Sequence, residues 1–319
     1  MKNLLKEIGI ALVLGILLPG VILDAAVRFA WGDQKQISET EVIFYTQPEE
    51  TPISIRVLDQ NGEVVTMELE EYITGVVLAE MPASFEAEAL KAQAVVARTY
   101  AMRAQQGKSK HEEAAVCMES SCCQAFQWPD TRSDPSDVEK VRSAVLDTAS
   151  LVLVYEGELI EATYFSCSGG STEDAVAVWG TEVPYLVATK SPGEEQAAHF
   201  EDTLLMPCDA FLSALSLEGT GDPESWFGAV TYTAGGGVNT MEICGKTFSG
   251  TQLRSLLELR STAIIMEPEG DSIRISTKGF GHRVGMSQYG ADAMALQGSS
   301  YGEILAHYYR GTELQKLSH

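Results

Sequence analysis

Positive charge is scarce in this chain. Lysine and arginine supply 22 of its 319 residues against 45 aspartates and glutamates, for a net charge of −23 at pH 7. That balance leaves no basic face for a nucleic acid. It also argues against broad contact with anionic lipid headgroups. A neutral or lightly charged substrate suits it better. No internal repeat of solenoid period is present. The length is enough to bury a sizeable core, as one large domain or two smaller ones.

Long apolar runs are also lacking, with one exception. Residues 8–23 read IGIALVLGILLPGVIL with no charge, and after Asp24 the segment AAVRFAW extends the apolar character to Trp31. Residues 8–31 are long enough to cross a bilayer. Lys2 and Lys6 precede the run, which keeps a cytoplasmic tail of residues 1–7 inside and the bulk of the chain outside. LDAAV is a poor small-residue cleavage site, so an uncleaved single-pass anchor is preferred to a removed signal peptide. Residues 32–52 are polar with two prolines and read as a stalk.

The expected fold class is α+β. A transmembrane helix leads into a mixed extracytoplasmic domain, with an early helical pair and a β-rich later part. Alternation through Ile53, Ile55 and Val57, then Asn61-Gly62, then Val64 and Val65, predicts a hairpin. In LEEYITGVVLAE, Leu69, Ile73, Val76, Val77 and Glu80 share one helical face, and Pro82 ends that helix near Glu80. Ser84 is placed to cap a second, alanine-rich helix, with Glu86 and Glu88 at its positive end. These elements make residues 53–149 a helical region that also carries a cysteine loop. Residues 150–315 read as the β-rich part, with strands flanking Glu156-Gly157, short β runs beyond 225, strands through Ile264 and Ile275, and a short closing helix stopped by Gly311.

Within GVVLAEMPASF, Glu80 is the one charge on an apolar face, at the end of a helix whose dipole disfavours its ionised form. Two readings stand: a structural acid paired with an arginine, Arg98 being the nearest candidate, or a carboxyl kept protonated for acid catalysis. In HEEAAVCMESSCC, His111, Cys117, Cys122 and Cys123 offer four N/S ligands, a set that suits structural zinc. A disulfide is the alternative, although adjacent cysteines bond to each other only with strain. Cys167, Cys208 and Cys244 are scattered and read as small buried hydrophobes.

LEEYITGVVLAEMPASFEAEALKAQAVVARTYA resembles the opening of the stage II sporulation protein D family, and GHRVGMSQYGADAMALQGSSYGEILAHYYRGTEL resembles its closing signature. Between them YFSCSGGSTEDAVAVWG and PYL match the family's middle block, so the resemblance runs from about residue 53 to 315. It implies a lytic transglycosylase that cuts peptidoglycan glycan strands, preferring strands stripped of peptide, during engulfment of the forespore. Glu80 would be its acid/base. The implied location is the cell membrane, facing the space between mother cell and forespore. The implied partners are the glycan strands, an amidase and a membrane protein of the engulfment machinery.

The same family includes amidase enhancers, so a non-catalytic wall-binding protein that stimulates a partner amidase is the alternative. A zinc hydrolase of stem peptides is a further one, and a closed four-ligand set speaks against it. Candidate substrate contacts are Arg98, Tyr185, Ser168, Gly169, His282, Ser287 and Gln288, each with a packing or turn role as its alternative. Where some relatives carry a histidine ligand this chain has Cys122, and Arg283 is bulkier than the family's usual residue, which is expected to alter the groove.

Overall fold

The computed structural model describes residues 52–129, 134–198, 200–219 and 221–317. The cytoplasmic tail, the anchor and all but the last residue of the stalk lie outside them. Among the described residues no helix is long and apolar enough to cross a membrane.

The expected hairpin forms from β1 (Ser54–Leu58) and β2 (Val64–Glu68), with Gly62 at a positive φ in its turn. Ile55 and Val57 alternate inward and are fully buried, as the period of two requires. The chain then enters α1 (Leu69–Glu80), and Met81 is already extended ahead of Pro82. Helix α2 (Ala87–Arg103) runs through the centre of the fold, and its alanines and valines are almost all buried. Ser84 does not cap it. The helix starts after Glu86, whose backbone N–H is taken by the Asp292 carboxylate at 2.7 Å, so a distant side chain does the work expected of a local one. The short strand β3 (Val116–Cys117) pairs parallel with β1, and helix α3 (Pro135–Asp147) packs on α1 and α2.

Strands β4 (Leu151–Tyr155) and β5 (Glu158–Leu159) flank Glu156-Gly157, both at positive φ, as the turn requires. Strand β6 (Tyr164–Phe165) and helix α4 (Ala175–Trp179) follow. The chain next builds a second lobe with its own apolar core around Phe211, Ile243, Leu253, Ile264 and Ile275. That lobe contains β7 (Glu201–Pro207), α5 (Cys208–Leu215), β8 (Phe227–Tyr232), β9 (Val238–Ile243), β10 (Lys246–Ser249), α6 (Gly250–Leu256), β11 (Ala263–Glu269) and β12 (Ser272–Lys278). Its strands form two antiparallel sheets, ordered β10-β9-β8 and β11-β12-β7.

The chain then returns to the first lobe. Strand β13 (Met286–Ser287) pairs parallel with β6, helices α7 (Gln288–Leu296) and α8 (Tyr301–Tyr308) pack on α2, and β14 (Glu313–Lys316) pairs with β4. The first core thus draws Val76, Leu90, Val96, Leu153, Met286 and Ile304 from both ends of the chain.

Arg98 is fully buried and binds the Glu70 carboxylate through Nε at 3.0 Å and Nη2 at 2.5 Å. Its remaining contacts are the carbonyls of Ala94, Val145 and Leu151. Glu70 in turn accepts the Ser150 N–H at 3.0 Å. Replacing Arg98 by methionine leaves this carboxylate without its cation, and the expected loss of stability is about 3–5 kcal/mol. Urea denaturation of the two proteins measures it, and a loss below about 1 kcal/mol would show that the pair is dispensable.

Candidate active site

Helix α1 delivers Glu80 to its C-terminal end, where the last turn carries no basic residue. The segment after the cysteine loop closes over this end. Phe126 stacks on Tyr72, their ring centroids 5.7 Å apart, and sits so close to Gly75 that a Cβ there would meet the ring at 2.2 Å. The Gln127 N–H donates to the Gly75 carbonyl at 3.0 Å. With that segment docked, the Ala125 N–H donates to Glu80 Oε1 at 2.7 Å.

Burial pushes the Glu80 carboxyl above the ordinary carboxylate range, and the Ala125 N–H, Tyr164 and Gln288 only partly oppose it. Tyr164 is held by Gln124 Nε2, 3.2 Å from its hydroxyl. Gln288 Nε2 is buried beside Glu80 and makes no hydrogen bond of full geometry. A donor in that state costs stability unless something occupies it.

Glu80, Tyr164 and Gln288 line one groove of about 820 Å³, together with Thr163, Phe165, Ser166, Trp179, Phe280 and His282. Strand β6 brings Tyr164 and Phe165 there, and its pairing with β13 draws in the glycine-rich segment that carries His282 and Gln288. The His282 ring lies 5.6 Å from Phe165 and 5.5 Å from Trp179 between ring centroids. Its Nδ1 accepts the Val284 N–H, and burial pushes its pKa down to about 4. His282 is therefore neutral at physiological pH and acts as a hydrogen-bonding group without charge. Glu161 is the other carboxylate lining the groove, and Arg103 meets it at 3.4 Å.

The structure thus brings together Glu80, His282 and Gln288 from the expected set. The others lie elsewhere. Arg98 serves Glu70, as described above, and does not reach the groove; the pairing of Glu80 with Arg98 is excluded. The Tyr185 hydroxyl accepts the Glu161 N–H at 2.9 Å, behind the groove wall. Ser168 and Gly169 are turned onto the buried Glu194 carboxylate, which accepts from the Ser168 hydroxyl at 2.9 Å and the Gly169 N–H at 3.3 Å. Ser287 caps α7, accepting the Gly290 N–H. Arg283, expected to reshape the groove, is buried at a positive φ. It donates to the carbonyls of Ser168, Ser171 and Gly235 and pairs with Glu173 at 3.2 Å, joining the two lobes behind the site.

Sequence reasoning missed Tyr164, Trp179 and Phe280. Tyr164 and Trp179 lie inside the quoted YFSCSGGSTEDAVAVWG block, but the proximity of Tyr164 to Glu80 depends on a strand of two residues that no periodicity reveals.

At the lip of the groove, His111 Nε2 lies 3.6 Å from Cys122 Sγ and 3.4 Å from Cys123 Sγ, and the two sulfurs are 4.0 Å apart. With the Cys117 sulfur, the four ligand atoms lie within 4.8 Å of one another. A tetrahedral zinc with Zn–S of about 2.3 Å and Zn–N of about 2.0 Å needs ligand atoms roughly 3.5–3.8 Å apart. The cluster fits a metal ion, and its four cysteine and histidine ligands are zinc's preferred set. All six cysteines of the chain are free thiols.

A raised folded pKa for Glu80 means that the folded state loses stability as pH rises from the unfolded value, about 4.3, through the folded one. Glu80→Gln removes that loss and retains an acceptor for the Ala125 N–H, so it should be as stable as wild type at pH 7 or more so. The advantage should vanish below about pH 4. Glu80→Ala leaves the Ala125 N–H unpaired and should cost about 1–3 kcal/mol. Urea titrations at the two pH values test this, and a Gln variant clearly weaker than wild type at pH 7 would contradict it.

Comparison with known proteins gives a consistent match. A family model described as stage II sporulation protein matches residues 59–155. The chain is 37% identical over 278 residues to stage II sporulation protein D of Bacillus subtilis (strain 168), covering 83% of this chain and 80% of that protein. It is 37% identical over 279 residues to the Bacillus amyloliquefaciens protein of the same name, covering 84% and 80%. An amidase enhancer of Bacillus subtilis (strain 168) is 32% identical over 300 residues, covering 76% of this chain and 40% of that protein.

Proposed function

The chain belongs to the stage II sporulation protein D family, and on that premise we propose that it is a membrane-anchored lytic transglycosylase of peptidoglycan glycan strands. The observation that carries this reading is a carboxyl with a raised pKa, Glu80, lining a groove large enough for several sugar rings. A hydrolase of glycosidic bonds commonly needs two carboxylates, one as acid and one as nucleophile or base. Intramolecular ring closure needs only one.

Glu80 gives its proton to the bridging oxygen as the C1–O bond breaks. The carboxylate so formed takes the proton of the same sugar's C6 hydroxyl, and O6 bonds to C1. The product is a 1,6-anhydro-N-acetylmuramic acid end, and Glu80 regains its proton. The Ala125 N–H, Tyr164 and Gln288 hold the transient carboxylate. Gln288 Nε2 carries two N–H groups, so it can serve Glu80 with one and a sugar oxygen with the other. Neutral His282 and the exposed rings of Trp179 and Phe280 suit the apolar faces of sugars.

His111, Cys117, Cys122 and Cys123 would hold a structural zinc at the groove lip, with all four positions filled by protein and none left for water. Residues 8–31 would anchor the protein, with the domain outside the membrane acting on the wall during forespore engulfment beside a partner amidase. The similarity to a protein named amidase enhancer supports a second reading, in which the groove binds wall and stimulates an amidase without cutting.

Product analysis separates the two. Peptide-stripped strands incubated with the protein should yield anhydro ends by mass spectrometry, and Glu80→Gln should lower turnover at least about 1,000-fold while strand binding persists. Wild-type turnover in the Gln variant would remove Glu80 from the chemistry. Intact strands with the wild-type protein would favour the enhancer reading.

Metal analysis should find about one zinc per chain, and its removal should lower Tm by more than about 5 °C. A metal-free protein with a disulfide mapped inside residues 117–123 would end the zinc reading.

A further inference from the structure

We propose that Gln124 is a positioning residue of the site, whose buried amide fixes the Tyr164 phenol as a one-way hydrogen-bond donor to Glu80. This rests on the transglycosylase reading above.

Gln124 follows the last cysteine of the metal-capable loop and is 1% exposed. Both ends of its side-chain amide meet a phenol. The Tyr72 hydroxyl donates to Oε1 at 3.3 Å, and Nε2 donates to the Tyr164 oxygen at 3.2 Å. The Tyr164 hydroxyl in turn meets Glu80. The backbone around Gln124 is held as firmly as its side chain. The Ala125 N–H lies on Glu80, Phe126 stacks on Tyr72, and the Gln127 N–H lies on the Gly75 carbonyl.

The direction of each bond follows from the protons available. A phenol has one proton to give, and Gln124 Oε1 is the acceptor that the described residues offer to Tyr72. Turning the amide over would point Nε2 at Tyr72 and orphan the buried Tyr72 proton, at a cost in stability. The amide therefore keeps Nε2 on Tyr164. With that N–H occupying its oxygen, Tyr164 has its own proton left for Glu80. Burial pushes the Tyr164 phenol well above its ordinary range, so this proton stays in place.

Every hydrogen bond thus points the same way, from Tyr72 through Gln124 and Tyr164 to Glu80, and no proton has to move along the chain. While Glu80 is protonated, the phenol oxygen is already occupied, so the carboxyl proton is kept for the glycosidic oxygen in the groove. Once Glu80 is ionised, a buried and aligned donor meets the new charge without reorganising. The donor behind it strengthens that bond. An apolar side chain at position 124 would leave the phenol oxygen open as a competing acceptor for the Glu80 proton.

The test is a double-mutant cycle on the full chain with peptide-stripped strands, following release of anhydro ends. Gln124→Met is close in length and removes both amide hydrogen bonds. It should lower kcat about tenfold with KM within about twofold of wild type. Tyr72→Phe removes only the hydroxyl that orients the amide and keeps the ring on which Phe126 stacks. It should lower kcat about threefold. In a Tyr164→Phe protein neither change should have a further effect, because the phenol through which both act is gone. A merely structural role predicts losses that add to that of Tyr164→Phe, and full additivity overturns the proposal. A kcat within about twofold of wild type in both single variants also overturns it. Circular dichroism checks the fold, and if Gln124→Met does not fold, Tyr72→Phe decides alone in the same cycle. A wild-type protein that releases no anhydro ends removes the transglycosylase reading and this inference with it.

Discussion

Arg98 lies wholly out of water and meets the Glu70 carboxylate through two nitrogens, while its other contacts are carbonyls of α2, α3 and β4. A charge moved out of water is expensive unless its geometry is complete, so this pair admits only one arrangement of the elements around it. It pins the start of α1. The 12 residues of that helix then span about 18 Å, and Pro82 prevents their continuation. Glu80 is thereby set at a fixed distance from the pinned end, where the segment carrying Phe126 and Ala125 can close on it. One ionised pair at one end of α1 thus fixes the position of a carboxyl biased toward neutrality at the other.

The two carboxylates of α1 also show how context divides identical chemistry. Glu70 faces a guanidinium and a backbone N–H, and its role is architectural. Glu80 faces one N–H, a phenol and an amide in a half-buried wall, with no cation beside it, and so it resists ionisation. The same contrast extends across the molecule. The buried Glu173 and Glu194 are tied to Arg283, to hydroxyls and to backbone N–H groups, and hold loops behind the groove. What distinguishes the candidate catalytic acid is the absence of a cationic partner among the described residues together with a groove beside it.

Local signals in the sequence were faithful wherever the physics is local. The apolar spacing of Leu69, Ile73, Val76 and Val77, the Met-Pro stop, and the Asn61-Gly62 and Glu156-Gly157 turns all depend on near neighbours, and each stands where it was expected. The four metal-capable side chains were legible because they lie within one loop. Apart from Ser287, whose cap on α7 is local, the misassigned residues share the opposite property. Arg98, Ser168, Gly169 and Tyr185 took roles from partners 24 to 28 positions away in sequence, and Ser84 lost its expected cap to Asp292, 206 positions beyond Glu86. No window of sequence displays such pairings. Arg283 has its reason in Glu173 and Gly235, which meet it only once the second lobe is in place.

The interruption of the first core by the second lobe has a consequence for the order of assembly. Strand β4 needs β14, through pairs such as Val154 with Glu313, and β6 needs β13. Synthesis releases the partners of both strands only after the whole second lobe has emerged. The second lobe has its own core, sheets and helices, so its contacts form over short stretches of chain. The first lobe must close loops longer than a hundred residues, and that closure is slow by its entropy. The lobe encoded in the middle can therefore mature first and act as a compact spacer that shortens the effective loop. Docked through Arg283, it brings the chain beyond β12 back to a half-built groove, so the glycine-rich segment that completes the site is also among the last to arrive.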